Sequence, residues 1–143
     1  FEKVLEGEEK LAFEYWNELP KHISEWKMLL EGRVTSAELR KEYVHSHGVI
    51  LHALGVVGNA LVSKYPDDWK SHLHGFEEID WSKKNPEWEG RAMSGGRLSK
   101  AFVNVVLATN YLKKALGLPL TSEEKKIEEG HLRGHVFERE RNE

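Results

Sequence analysis

The chain has 143 residues, 21 Lys/Arg against 24 Asp/Glu, a formal net charge of −3 and no cysteine. That length suits one domain able to bury its own core. The lack of cysteine excludes disulfides and thiolate metal sites. No apolar run reaches the ~20 residues of a membrane-spanning helix, and no signal peptide is visible, so no membrane partner and a cytoplasmic location are expected. The first residue is Phe1 rather than methionine, which predicts a fragment of a longer protein.

The pattern predicts a mainly α fold over residues 1–143: a single compact helical domain of about six helices, with one short loop or β-hairpin near 90–99. Val4, Leu5, Leu11, Ala12, Tyr15, Trp16 and Leu19 recur at spacings of three and four and predict a first helix. Pro20 suits the first position of a second, with Ile23, Trp26, Leu29 and Leu30 on its apolar face and Gly32 as its stop. Thr35 and Glu38 have capping-box spacing and open a third.

The run His45–Tyr65 is apolar enough for a buried central helix. Glycine costs about 1 kcal/mol against alanine in a helix, so Gly48, Gly55 and Gly58 predict close approach by another backbone. Pro66-Asp67-Asp68 opens a short helix with Trp69, Leu73 and Phe76, ending near Ile79. Asn85 is pushed to extended geometry by Pro86, which can start a single turn containing Trp88. Gly95-Gly96 suits a tight turn. Ser99 is expected to cap a helix from Lys100 to Leu116, with Phe102, Val103, Val105, Val106, Leu112 and Leu116 buried. Gly117 and Pro119 end it. Thr121 and Glu124 open a last, highly charged helix weakened by Gly130 and Gly134, whose tail ERERNE is expected to fray.

The charge pattern carries the first functional signal. Between Glu89 and Glu123 there is no acid, and the segment holds Arg91, Arg97, Lys100, Lys113 and Lys114. A local basic surface can serve an anionic partner on a mildly acidic chain; the plain alternative is a solvated face. Arg91 and Arg97 flank the glycine turn. Lys100, Asn104, Tyr111 and Lys114 share one helical face, with Leu107 between them. Lys and Arg neutralise phosphates, Asn can position them, and a helix N-terminus favours a phosphate oxygen. The candidate DNA-binding set is therefore Arg91, Arg97, Lys100, Asn104 and Lys114. Trp81 and Trp88 are read as core anchors rather than stacking platforms.

Catalytic signals are weak. His45, His47 and His52 cluster in sequence, as do His72 and His74, but His45 and His47 point apart on a helix, and His47 and His52 are poorly spaced for one metal. His45 or His47 is expected to start the helix and His52 to be a packed core histidine, so no metal is predicted. Glu87 and Glu89 are expected to pair with Arg91 or Lys83. No nucleophile motif is present, SGGRLSK lacks the full phosphate-loop spacing, and no cofactor or enzymatic role is expected.

DWSKKNPEWEGRAMSGGRLSK, followed by NVVLATNYLKKALGLPLTSEE and preceded by VHSHGVILHALGVVGNAL, resembles the C-terminal part of DndB-like proteins, the DNA sulfur modification proteins of the DGQHR-domain family. The resemblance covers residues 43–125 or so and leaves residues 1–33 and the tail after Glu129 outside. It implies a bacterial or archaeal protein tied to DNA phosphorothioate modification, in which sulfur replaces a non-bridging phosphate oxygen. It further implies a DNA-binding negative regulator of the modification operon rather than a sulfur-transfer catalyst. The DGQHR motif is absent here and is expected upstream, which makes the chain a C-terminal domain.

Two functions follow as expectations. One is a regulatory domain binding promoter DNA. The other is a helical dimerisation or docking module, in which the glycine-bearing helix and the aromatic first helices form a homo-oligomer or hold the missing N-terminal domain of the same protein.

Overall fold

Helix α1 (Glu2–Glu18) ends in the 3-10 turn Leu19–Lys21, which carries Pro20 at its start. The computed structural model describes residues 2–142, with side chains described over 7–134; the expected apolar positions Val4 and Leu5 lie outside the latter range. Pro20 opens that 3-10 turn, and α2 (Ser24–Leu30) begins only after Ile23. Gly32 takes φ of 74° just beyond α2. α3 (Ser36–Glu42) is capped as the spacing predicts, Thr35 Oγ1 accepting from the Glu38 N–H at 3.2 Å.

α4 (Gly48–Lys64) is the central helix and packs chiefly against α6 (Phe102–Leu116). Val49, Ile50, Ala53, Leu54, Val57 and Leu61 are buried along it. Two of its glycines receive aromatic side chains rather than a backbone, and nothing approaches Gly48: a Cβ on Gly58 would come within 2.5 Å of the Tyr15 ring, and Trp16 lies over Gly55. The Tyr15 hydroxyl donates to the Leu54 carbonyl at 2.6 Å, which pins α1 across α4. Close backbone approach occurs instead at Gly75, where a Cβ would meet the Ala115 carbonyl oxygen at 2.1 Å.

α5 (Trp69–His72) runs directly into the 3-10 segment Leu73–Glu78. Asn85 Oδ1 accepts from the Glu87 N–H at 3.1 Å and opens the 3-10 turn Pro86–Trp88. The hairpin is present: β1 (Met93–Ser94) pairs antiparallel with β2 (Arg97–Leu98), and Gly95 and Gly96 turn with φ of 60° and 78°. Two positive φ values in a two-residue loop match the twist of a tight hairpin.

α6 ends at Gly117, whose φ is 75°, with the Leu118 N–H donating back to the Lys113 carbonyl. Its N-cap is Ala101 rather than Ser99. Ser99 holds the entry from two residues upstream, accepting from the Ala101 N–H and donating to Asn104 Oδ1 at 2.6 Å. α7 (Ser122–Asn142) opens with a reciprocal capping box between Thr121 and Glu124 and runs helical into the tail expected to fray.

The core gathers around α4, α6 and the aromatic segment 65–92. Trp81 and Trp88 are buried and stacked at 5.8 Å, and Trp88 Nε1 donates to the Asp80 carbonyl. They are packing anchors, as expected. Phe102 and Val103 depart from expectation: they are 73% and 47% exposed. α6 is rolled so that its Leu107–Tyr111 face meets the 88–92 loop and α7, which leaves its first two residues toward solvent.

Candidate nucleic-acid interface

The five sequence-selected residues divide between interior and surface. Arg91 is inside, 6% exposed. Its guanidinium donates to both carboxylate oxygens of Glu128 on α7, at 2.8 and 2.7 Å, and to the Leu107 carbonyl at 3.1 Å. It also lies 5.7 Å from the centre of the Tyr111 ring. A planar fork satisfied bidentately by a carboxylate is a strong buried arrangement. Both terminal nitrogens of Arg91 are thus engaged by α6 and α7 rather than turned to a phosphate.

Asn104 is an internal stitch. Its amide donates to the Arg91 carbonyl at 2.7 Å and its oxygen accepts from Ser99, so it fixes the loop to α6. Lys114 is half-exposed and donates to Glu128 at 3.0 Å. Lys113 is buried and paired with Glu124 at 2.7 Å. The expected pairing of Glu89 with Arg91 does not occur; Glu89 instead accepts from the Gly95 and Gly96 N–H groups and braces the hairpin turn.

Glu128 is thus the hub, receiving Arg91, Lys114 and Asn110. Burial alone would raise its pKa. The bonds and charges of Arg91 and Lys114 outweigh that and lower it to about 2.

Arg97 and Lys100 are exposed and have no carboxylate partner among the described residues. Lys100 lines a surface cavity of about 330 Å³ together with Arg40, His47, Gly48, Val49, His52, Leu98, Ser99 and Val105. No acid is among these lining residues. Arg97 stands one residue before this lining segment, on the hairpin. The cavity opens at the start of α4, and nothing lies within 4 Å of the position a Gly48 Cβ would occupy. The first N–H groups of a helix lack intrahelical acceptors and carry the positive end of its dipole.

His47 sits at the α4 N-cap and its Nε2 donates to the Arg40 carbonyl at 2.7 Å. Burial first, and then the charges of Lys83 and Arg40, hold its imidazole below the ordinary histidine range, against the opposing pull of that hydrogen bond. Only the smaller, charge part of that shift, from Lys83 and Arg40, also suits an anion. Sequence reasoning missed Arg40 and His47 as members of this site. The signal that could have found them is the position of His47 at the start of the glycine-led helix.

The other histidines are rearranged relative to expectation. His45, not His52, is the packed core histidine: it is fully buried, stacked on Tyr43, and bonded through Nε2 to Glu25 at 3.0 Å. That bond leads in lowering the Glu25 pKa. His52 is exposed on the cavity rim.

The family model described as DndB, DNA-sulfur modification-associated, matches residues 2–119. The chain belongs to the DndB family. Membership ties it to DNA sulfur modification systems. The match reaches back to residue 2, so the first helices, which the sequence resemblance leaves outside, belong to the DndB region. α7 begins at Ser122, beyond it. No curated protein and no solved structure matches the chain. Among the described residues, no helix is long and apolar enough to cross a membrane.

Proposed function

We propose that this DndB-family chain is a DNA-binding regulatory domain that represses its modification operon, acting as a binding protein rather than a sulfur-transfer catalyst. The observation that carries this reading is the pair Arg97 and Lys100 beside an acid-free cavity at the α4 N-terminus, with Arg40 and His47 in its wall. Exposed cations and open helix N–H groups suit phosphate oxygens and position a duplex without reading its sequence. The phosphate set in this reading is Arg40, Arg97 and Lys100; Arg91, Asn104 and the Glu128-bound Lys114 belong to the scaffold.

The test is fluorescence anisotropy with operon-promoter duplexes, phosphorothioated and unmodified, over a salt series. Each neutralised phosphate adds about 0.9 to the slope of log K against log salt. Arg97→Ala and Lys100→Ala are each expected to flatten the slope by about that amount while circular dichroism stays unchanged. Wild-type slopes in both folded variants would remove this face from DNA contact.

A second reading, a docking or dimerisation module, is favoured by one observation. Val56, Phe102 and Val103 are exposed apolar side chains, and Val56 and Phe102 border a separate cavity of about 200 Å³. Sedimentation of the chain beside a Phe102→Ser variant distinguishes it: a monomer whose sedimentation the substitution leaves unchanged rules it out.

A further inference from the structure

A second group of histidines is absent from the lining of the α4 cavity and takes no part in the proposed DNA face. His22 follows the 3-10 turn after α1, and His74 and Glu77 sit in the 3-10 segment Leu73–Glu78. A 3-10 helix has three residues per turn, so side chains three apart eclipse one another. His74 and Glu77 therefore stand on one edge and face His22.

The geometry is convergent. Glu77 Oε2 lies 2.9 Å from His22 Nδ1 and 2.5 Å from His74 Nδ1, and one ligand atom from each residue lies within 4.8 Å of the others. The imidazoles meet edge to face, with ring centres 4.9 Å apart. We propose that His22, His74 and Glu77 form a binding site for a divalent zinc-class ion, a two-histidine, one-carboxylate set that clamps the end of α1 to the 73–78 segment. The inference does not rest on the DNA reading.

Three observations support it. The first is spacing. Zn–N and Zn–O bonds run near 2.0–2.2 Å, which puts tetrahedral ligand atoms about 3.3 Å apart. The present separations from Glu77 are shorter by less than about 1 Å, and His74 and Glu77 are exposed and free to open.

The second is orientation. His22 is 8% exposed. Its outer ring nitrogen, Nε2, has no hydrogen-bond partner and faces Glu18 Oε1 at 3.6 Å. With the metal on Nδ1, the ring proton sits on Nε2, where a shortening of the 3.6 Å gap to Glu18 would supply the carboxylate partner that orients metal-bound imidazoles. The third is rigidity. Gly75, between the two exposed ligands, is pressed on the Ala115 carbonyl, so the backbone that presents His74 and Glu77 is seated on α6.

Imidazole with one carboxylate selects zinc or a neighbouring transition metal over magnesium or calcium, which prefer all-oxygen shells. Three protein ligands leave a fourth position on the solvent side, where His74 and Glu77 are exposed.

The experiment is Zn2+ titration of the untagged, chelator-treated full chain, in competition with a chromophoric chelator, followed by Co2+ substitution. Expected are one Zn2+ per chain, a Tm that rises with added Zn2+ until saturation, and the intense visible absorption of four-coordinate Co2+. His74→Ala, at an exposed position that leaves the fold intact, is expected to weaken binding by at least about tenfold, and Glu77→Gln similarly. His52→Ala, outside this group, is expected to bind as wild type. Absence of saturable binding overturns the proposal. So does binding that is unchanged in His74→Ala, or that falls equally in His52→Ala.

Discussion

Replacing Arg91 with alanine is the sharpest test of the interior that the structure assigns to the basic stretch. Three hydrogen bonds are removed, two of them to a carboxylate, and Glu128, itself only 4% exposed, loses its bidentate partner. Breaking a buried pair from one side costs about 3–5 kcal/mol. Lys114 and Asn110 remain bonded to Glu128, so the lower end applies, about 3 kcal/mol. A domain of this size has about 5–15 kcal/mol in total, so the loss is large but leaves a folded population. With a urea slope of about 2 kcal/mol/M, the midpoint falls by about 1.5 M. The double replacement Arg91→Met with Glu128→Leu removes both charges and is expected to recover most of the loss, since apolar substitutes for buried ion pairs are often neutral. If Arg91→Ala melts within about 0.3 M of wild type, the buried bridge to α7 does not exist and the roll of α6 is wrong.

Two further outcomes follow from the same packing. Glu128 has a carboxyl lowered from 4.5 to about 2 in the folded state; the folded chain holds fewer protons between those values than the unfolded one, so its contribution is complete above about pH 4.5 and is lost as pH falls towards 2. Allowing for solvent screening, that contribution is on the order of 2 kcal/mol. Urea midpoints across an acid pH series are expected to fall less steeply in Glu128→Gln, and an identical acid limb in the variant contradicts the assignment. Gly75→Ala places a methyl carbon 2.1 Å from the Ala115 carbonyl oxygen, a backbone clash that no rotamer relieves. A loss of about 3 kcal/mol or more is expected in thermal or urea melts, and a wild-type Tm would show that the 73–78 segment is not seated on α6.

Features ruled by local chemistry were legible in the sequence. Both capping boxes, the Gly117 stop, the Asn85-Pro86 turn and the Gly95-Gly96 hairpin follow from side chains bonding their own neighbours, and each stands where the residues placed it. What stayed hidden depends on which face meets which. Phe102 and Val103 look as apolar as Val105, and only the way α6 packs on its neighbours, α4 foremost, leaves the first two exposed. His52 has the same neighbours in sequence as a core histidine, yet the packing of α4 on α6 leaves it on the rim while His45 is enclosed by Trp26, Tyr43 and Trp81. The His22 site was illegible for a simpler reason. His74 and Glu77 show the three-residue spacing, but their partner lies more than fifty residues away, and nothing local marks a histidine after a proline turn as a ligand.

The acid-free segment between Glu89 and Glu123 is basic only along the chain. In space, α7 returns Glu124 and Glu128 to it, and these two carboxylates take up Lys113, Lys114 and Arg91. A carboxylate fork and a phosphate ask the same of an arginine, so residue type alone could not separate a DNA contact from an internal tie. Position separates them. Arg91 lies under α7 at the foot of the hairpin, where a Cβ on Gly90 would strike the His131 ring at 2.9 Å. Arg97 lies beyond the turn, past the reach of either acid, and Lys100 precedes the first turn of α6 on the rim of the α4 cavity. Unpaired positive charge therefore survives at Arg97, beside the Glu89 carboxylate that braces the turn, and at Lys100 near the α4 N-terminus, while the α6 cations that the sequence favoured are taken up by α7. Any duplex drawn to this domain by charge should meet the 97–100 edge first, with α4 rather than α6 presenting its N-terminus to the backbone.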